Sequence, residues 1–172
     1  KNAIICSSGT SAIFMALKSI KLKSRDNIII PAINFIASVN MAEMLGANIY
    51  LADVDSETGQ MTPKTLKDCI RRNKLKKVKA VVTMYLGGSP NNVLEFYKLK
   101  KIFKFFLIED SCHALGAKYI YNKKFLKVGC SKHCDLSTFS LHPVKSMTSG
   151  EGGIVTTNNK ILASRVNNLR SH

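Results

Sequence analysis

The sequence predicts a three-layer α/β/α domain built on a seven-stranded, mostly parallel sheet. Three observations carry this expectation. Short apolar runs recur along the chain, centred on Ile4, Ile29, Ile49, Val81, Leu107, Thr138 and Ile154. Segments with helical spacing separate the first five, and such alternation builds a parallel sheet covered on both faces. The chain has 172 residues, 45% of them hydrophobic, which is enough for one domain with a real core. No repeat, low-complexity linker or internal boundary divides it, so residues 1–172 read as one domain.

The first strand, Lys1-Asn2-Ala3-Ile4-Ile5-Cys6, reads as entered from upstream. Ser11–Ile20 places Ala12, Ile13, Ala16, Leu17 and Ile20 on one helical face. Phe35–Leu45 is a second helix ending at Gly46, a C-cap residue. Pro63–Arg72 is a third, with Thr62 as N-cap and Pro63 at the first position. Val93–Lys101 follows the turn cluster Ser89-Pro90-Asn91-Asn92. Lys118–Lys127 reads as a hairpin turning at Asn122-Lys123, and Lys160–Leu169 as a last helix.

Composition excludes several classes. No segment approaches the ~18 apolar residues of a membrane span. The first apolar run is too short for a signal peptide, and with no initiator Met the chain reads as cut from something longer. The five cysteines, Cys6, Cys69, Cys112, Cys130 and Cys134, are scattered with no CxxC pair, which indicates a reducing, cytoplasmic compartment. Cys130, His133 and Cys134 could form half a zinc site, but no second pair stands at ligand spacing, so no metal is expected. The formal net charge is +15, mostly lysine spread over helix faces and turns without interleaved aromatics. That pattern describes a solvated basic surface attractive to anionic substrates, with no nucleic-acid partner.

Ligands of open α/β sheets bind outside the carboxyl ends of the strands. Ser7-Ser8-Gly9-Thr10 follows the first strand and opens a helix, offering backbone N–H groups and a hydroxyl to an anion. It has neither the spacing nor the Lys of a P-loop. Phe35 follows the second strand. Phe105-Phe106-Leu107-Ile108-Glu109-Asp110 ends an apolar strand in an acid, with His113 three residues beyond. Asp110 can cap the next turn, or it can hold a ring nitrogen protonated and make a pyridine cofactor an electron sink. Phe139-Ser140-Leu141-His142-Pro143-Val144-Lys145 delivers a single lysine into a turn region that continues as Ser149-Gly150-Glu151-Gly152-Gly153. A lysine held partly desolvated near a sheet edge can lose its proton and attack an aldehyde.

The ordered set Ser-Gly-Thr, Pro-Ala-Ile-Asn-Phe, Glu-Asp-Ser-Cys-His-Ala-Leu-Gly, Phe-Ser-Leu-His-Pro-Val-Lys, Gly-Glu-Gly-Gly and Leu-Arg-Ser-His resembles the DegT/DnrJ/EryC1/StrS sugar aminotransferases. These are fold-type I enzymes that use pyridoxal 5′-phosphate (PLP), and the resemblance runs from Ser7 to His172. It implies that Lys145 carries the cofactor and shuttles the reaction's proton. By the same resemblance Asp110 pairs with the pyridinium nitrogen and His113 lies beside the ring. Phe35 stacks on its face, and Ser8, Gly9, Thr10 and Ser140 hold the phosphate. Related sugar dehydratases carry His where this chain has Lys145, which favours transamination. The resemblance also implies a homodimer, and an N-terminal arm and C-terminal small domain that this chain lacks.

Within the family, the Asp110–Gly116 and His142–Lys145 segments look most like enzymes of pseudaminic acid synthesis. Those aminate a UDP-linked 4-keto-6-deoxy-N-acetylhexosamine, with glutamate as donor. Aminotransferases of perosamine, bacillosamine or 3-keto-sugar type share most of these residues. An inactive or regulatory protein of the same fold would tolerate loss of Lys145 and Asp110, and both are present.

Overall fold

A computed structural model describes residues 2–171. Lys1 and His172, which begin the first strand run and end the Leu-Arg-Ser-His motif, lie outside the described residues. The elements in chain order are β1 (Asn2–Cys6), α1 (Gly9–Ser19), β2 (Asn27–Pro31), α2 (Ala37–Met44), β3 (Asn48–Ala52), α3 (Pro63–Arg72) and β4 (Ala80–Met84). There follow α4 (Val93–Phe103), β5 (Phe106–Asp110), the hairpin strands β6 (Lys118–Tyr121) and β7 (Lys124–Lys127), β8 (Leu136–Ser140), β9 (Gly153–Thr157) and α5 (Lys160–Ser171).

Seven strands form one sheet in the order β1-β9-β8-β5-β4-β2-β3. Only β9 runs against its neighbours, pairing antiparallel with both β1 and β8, so the expected mostly parallel sheet is found. All the other strands therefore send their carboxyl ends to the same edge. Successive strand residues face opposite sides, and both sides are apolar. Ile28 and Ile30 join Val82 and Ile108 beneath α1, α2 and α5. Ile29, Val81 and Leu107 pack under α3 and α4 with Leu66, Ile70, Phe96 and Leu99. Burial on both faces is why these strands read as continuous apolar runs. Burying one such side chain fully contributes about 1.5–3 kcal/mol.

Helix boundaries differ from the sequence reading where caps decide them. α1 begins at Gly9 rather than Ser11, because Ser8 sits in extended backbone and its hydroxyl accepts from the Ser11 N–H at 3.1 Å. α2 begins at Ala37, leaving Phe35 in the segment before it. α4 runs on to Phe103, and α5 to Ser171. α3 matches at both ends. Thr62 Oγ1 accepts from Thr65 N at 3.2 Å, and Thr65 Oγ1 accepts from Thr62 N at 2.9 Å, a reciprocal cap. Thr62→Ala should lower stability by about 1 kcal/mol, read as an earlier denaturation midpoint with an unchanged slope. The hairpin turns at Asn122 and Lys123, whose φ values of 48° and 59° are those of a tight two-residue hairpin turn.

Candidate active site

A cavity of about 420 Å³ opens at the carboxyl ends of the strands. All eight residues singled out from the sequence line it: Ser8, Gly9, Thr10, Phe35, Asp110, His113, Ser140 and Lys145. They arrive from four places in the chain, and the sheet order explains their meeting. β1 lies at one edge, yet α1 crosses back over β9 and β8. That crossing sets the start of α1 against the end of β8. A Cβ on Gly9 would lie 2.7 Å from the Ser140 Cβ, closer than packing allows, so only glycine permits this approach.

One end of the cavity suits an anion. The first N–H groups of α1 have no intrahelical acceptor, and the helix dipole adds partial positive charge. The Ser8 hydroxyl is already engaged as the N-cap. Thr10 and Ser140 bring further hydroxyls, and Ser140 Oγ accepts from the His142 N–H at 3.3 Å.

Asp110 ends β5 and is 2% exposed. Its Oδ1 accepts from the Cys112 N–H at 3.1 Å. Burial raises its carboxyl above the ordinary range, opposed by the Cys112 hydrogen bonds and by positive charge at His113 and Lys145. Burial first, then the Lys145 charge, lowers the His113 imidazole, against the pull of Asp110. Burial, and then the Asp110 charge, push the Cys112 thiol far up, so it stays protonated. Lys145 thus acts electrostatically on all three neighbours.

Lys145 stands half-buried in the connection between β8 and β9. That loop is pinned at its base: Leu141 N–H donates to Gly152 O at 2.8 Å and Ser149 N–H donates to Leu141 O at 3.1 Å. Lys145 itself donates its backbone N–H to His142 O at 2.9 Å. Across the mouth His142 Nε2 lies 3.7 Å from Glu151 Oε1. Phe35, 63% exposed, forms an aromatic wall.

The sequence reading did not single out Met84, Cys112, His142 or Glu151 as cavity residues. Cys112, His142 and Glu151 stood inside quoted motifs, which was the available signal. Asn34, which precedes Phe35 but does not line the cavity, has its amide nitrogen and oxygen both buried without a partner among the described residues. Cys130, His133 and Cys134 do not form one cluster: Cys130 Sγ, 3.5 Å from the Tyr119 hydroxyl, shares that hydroxyl with His133, while Cys134 faces away from both. His133 Nδ1 lies 2.8 Å from the Tyr119 hydroxyl and its ring packs among Tyr97, Tyr119 and Tyr121, whereas Cys134 Sγ contacts Ser137. Among the described residues no three His, Cys, Asp or Glu side chains are gathered to hold a metal ion, and no helix is long and apolar enough to cross a membrane.

An open α/β sheet with one reversed strand, carrying an anion seat, a buried acid and a lysine in one crevice, has the architecture of the PLP-dependent aminotransferases. The chain belongs to the DegT/DnrJ/EryC1/StrS aminotransferase family, which matches it over residues 1–172. It is 37% identical over 163 residues to the GDP-perosamine synthase of Escherichia coli O157:H7, covering 95% of this chain and 42% of that protein. Helicobacter pylori PseC, an aminotransferase involved in the biosynthesis of pseudoaminic acid, superposes with a TM-score of 0.84 at 31% identity, over 100% of this chain and 44% of that one. The Bacillus subtilis protein ntda, solved with bound cofactor PMP, gives a TM-score of 0.84 at 26% identity, over 96% of this chain and 35% of that one. The chain thus spans less than half the length of the relatives it matches.

Proposed function

We propose that this chain is the cofactor-binding large domain of a longer PLP-dependent sugar aminotransferase, which moves an amino group from glutamate to a keto nucleotide sugar. The carrying observation is the convergence of an anion seat, a buried carboxylate, a lysine and an aromatic wall in one cavity. The cavity fits the cofactor because each seat matches one of its groups. The close approach of Gly9 to Ser140 brings the start of α1 and the Ser140 hydroxyl together as one anion seat, and the Asp110 carboxyl is buried with no salt-bridge partner among the described residues. The family membership and the PMP bound in the Bacillus subtilis protein support the same cofactor.

PLP, when bound, supplies the electron sink for the carbon that exchanges its amino group. The rest falls to this chain. Gly9, Thr10, Ser140 and the start of α1 would hold the phosphate, with Ser8 holding the helix start in place. Asp110 would keep a proton on the ring nitrogen, and a cationic partner there would draw its carboxyl back down toward the ordinary range. Phe35 would cover one face of the ring, and His113 would lie beside it. Lys145 Nζ would hold the cofactor's aldehyde carbon, then take and return the proton at the reacting carbon. We further infer a reducing, cytoplasmic setting from five scattered cysteines with no CxxC pair, and a homodimer from the family resemblance.

The substrate we assign is a UDP-linked 4-keto-6-deoxy-N-acetylhexosamine, supported by the Asp110–Gly116 and His142–Lys145 segments and by the likeness to PseC. A GDP-linked keto sugar is the second reading, favoured by the 37% identity to a GDP-perosamine synthase. The test is to treat full-length protein and PLP with borohydride, map the modified lysine, and then follow 2-oxoglutarate release from glutamate with each sugar. We expect modification at Lys145 and turnover with the UDP sugar. Modification elsewhere would refute the Lys145 assignment. Turnover confined to the GDP sugar would transfer the assignment to the second reading.

A further inference from the structure

On the face of β5 opposite Asp110 lies a second acid that the reaction does not use. Glu109 is 4% exposed, between Tyr85 at 2% and Ser137 at 0%. The Tyr85 hydroxyl donates to Glu109 Oε1 at 2.7 Å, and the Ser137 hydroxyl donates to Oε2 at 2.7 Å. Each carboxylate oxygen is thus committed to a different neighbouring segment, at distances typical of charge-assisted hydrogen bonds. Among the described residues Glu109 has no salt-bridge partner. A buried acid without a cation is costly, and an apolar residue here would suit the surrounding core.

The two partners lie on the segments that lead into the cavity. Tyr85 follows Met84, the last residue of β4, and begins the turn that reaches Gly88. That turn presses on His113, since a Cβ on Gly88 would lie 2.7 Å from the His113 carbonyl oxygen. Ser137 is in β8, directly opposite Glu109 in register, and β8 ends at Ser140. Glu109 therefore joins the strand bearing Asp110 to the strand bearing Ser140 and to the turn that backs His113.

We propose that Glu109 is a positioning residue for the cofactor: its carboxylate ties the carboxyl ends of β4 and β5 to Ser137 in β8, three residues before Ser140, and so sets the separation between the Asp110 carboxylate and the anion seat at Ser140. This rests on the proposed PLP site. A molecule that spans both seats depends on that separation, whereas one occupying only the anion seat does not. Burial raises the Tyr85 hydroxyl well above its ordinary range, and the Glu109 charge adds to the rise, so Tyr85 remains a donor throughout.

The experiment measures the affinity of full-length protein for PLP by visible absorbance, and for inorganic phosphate by competition. Glu109→Ala should weaken PLP binding about tenfold or more, while phosphate binding changes less than about twofold. Glu109→Gln, which keeps one acceptor, should fall between Glu109→Ala and wild type. A folded Glu109→Ala protein that binds PLP as tightly as wild type overturns the proposal, as does an equal loss for both ligands. If Glu109→Ala does not fold, Tyr85→Phe and Ser137→Ala each remove one hydrogen bond and keep the packing. Each should then weaken PLP selectively by a few-fold, roughly one hydrogen bond's worth, and wild-type affinity in both overturns the clamp. Failure of the wild-type protein to take up PLP at all would instead overturn the functional reading, and this proposal with it.

Discussion

Lys145→Ala should abolish turnover in the full-length protein, lowering kcat by at least about 10⁴-fold, because in the proposed reaction one side chain would serve as both nucleophile and general base. The fold should survive. Lys145 stands in a loop outside the three apolar clusters, and among the described residues only its backbone N–H is committed, to His142 O, a bond that alanine keeps. Stability should change by no more than about 0.5 kcal/mol. Steady-state release of 2-oxoglutarate reads the first expectation, and a denaturant titration reads the second. The variant should still bind the amine form of the cofactor, since the anion seat and Asp110 are untouched. Turnover within about tenfold of wild type would remove Lys145 from the chemistry, since general base catalysis alone is worth more than that.

Asp110→Asn should cost about 100-fold or more in kcat, the scale of losing one preorganised electrostatic group. Asparagine is isosteric and keeps an oxygen to accept from the Cys112 N–H, so geometry is conserved and only the charge is removed. The cofactor-free protein should respond in the opposite sense. Burial raises the folded-state affinity of Asp110 for its proton. A raised carboxyl contributes stability that is present below the unfolded value and is lost as pH rises through the folded value. Glu109 and Asp135 shift in the same direction, chiefly through burial. Wild-type apoprotein should therefore weaken as pH climbs out of the carboxylate range. Asp110→Asn should be more stable than wild type at neutral pH, with the gap closing in acid. Denaturation midpoints across a pH series test this, and a gap that widens in acid would contradict it.

The sequence disclosed those features whose causes are local. The Thr62 cap, the Pro63 start and the Asn122-Lys123 turn are set by neighbouring residues, and each stands where it was expected. The eight cavity residues were legible because each sits at or just beyond the end of an apolar run. Glu109 was not, because its partners Tyr85 and Ser137 lie 24 and 28 residues away and meet it only through strand register. Within the run Phe106–Asp110 nothing local distinguishes an acid facing the cavity from one facing the opposite core. The place of β9 was equally hidden. Its residues read as a strand, but only the assembled sheet shows it inserted between β1 and β8.

That insertion has a consequence for the order in which the molecule is made. Asn2 pairs with Thr157, and a Cβ on Gly153 would lie 2.0 Å from the Ser8 carbonyl oxygen. Among the described residues β1 has no sheet neighbour other than β9. Contacts so distant along the chain form slowly, because the intervening loop must close before they reward it. During synthesis β2, β3, β4 and β5 can pair as they emerge, while β1 and the residues that cradle the anion wait for β9. Capacity for PLP should therefore arise late and abruptly, when Gly153–Thr157 slides into the gap, and a ribosome-bound chain halted before Gly153 should capture no cofactor.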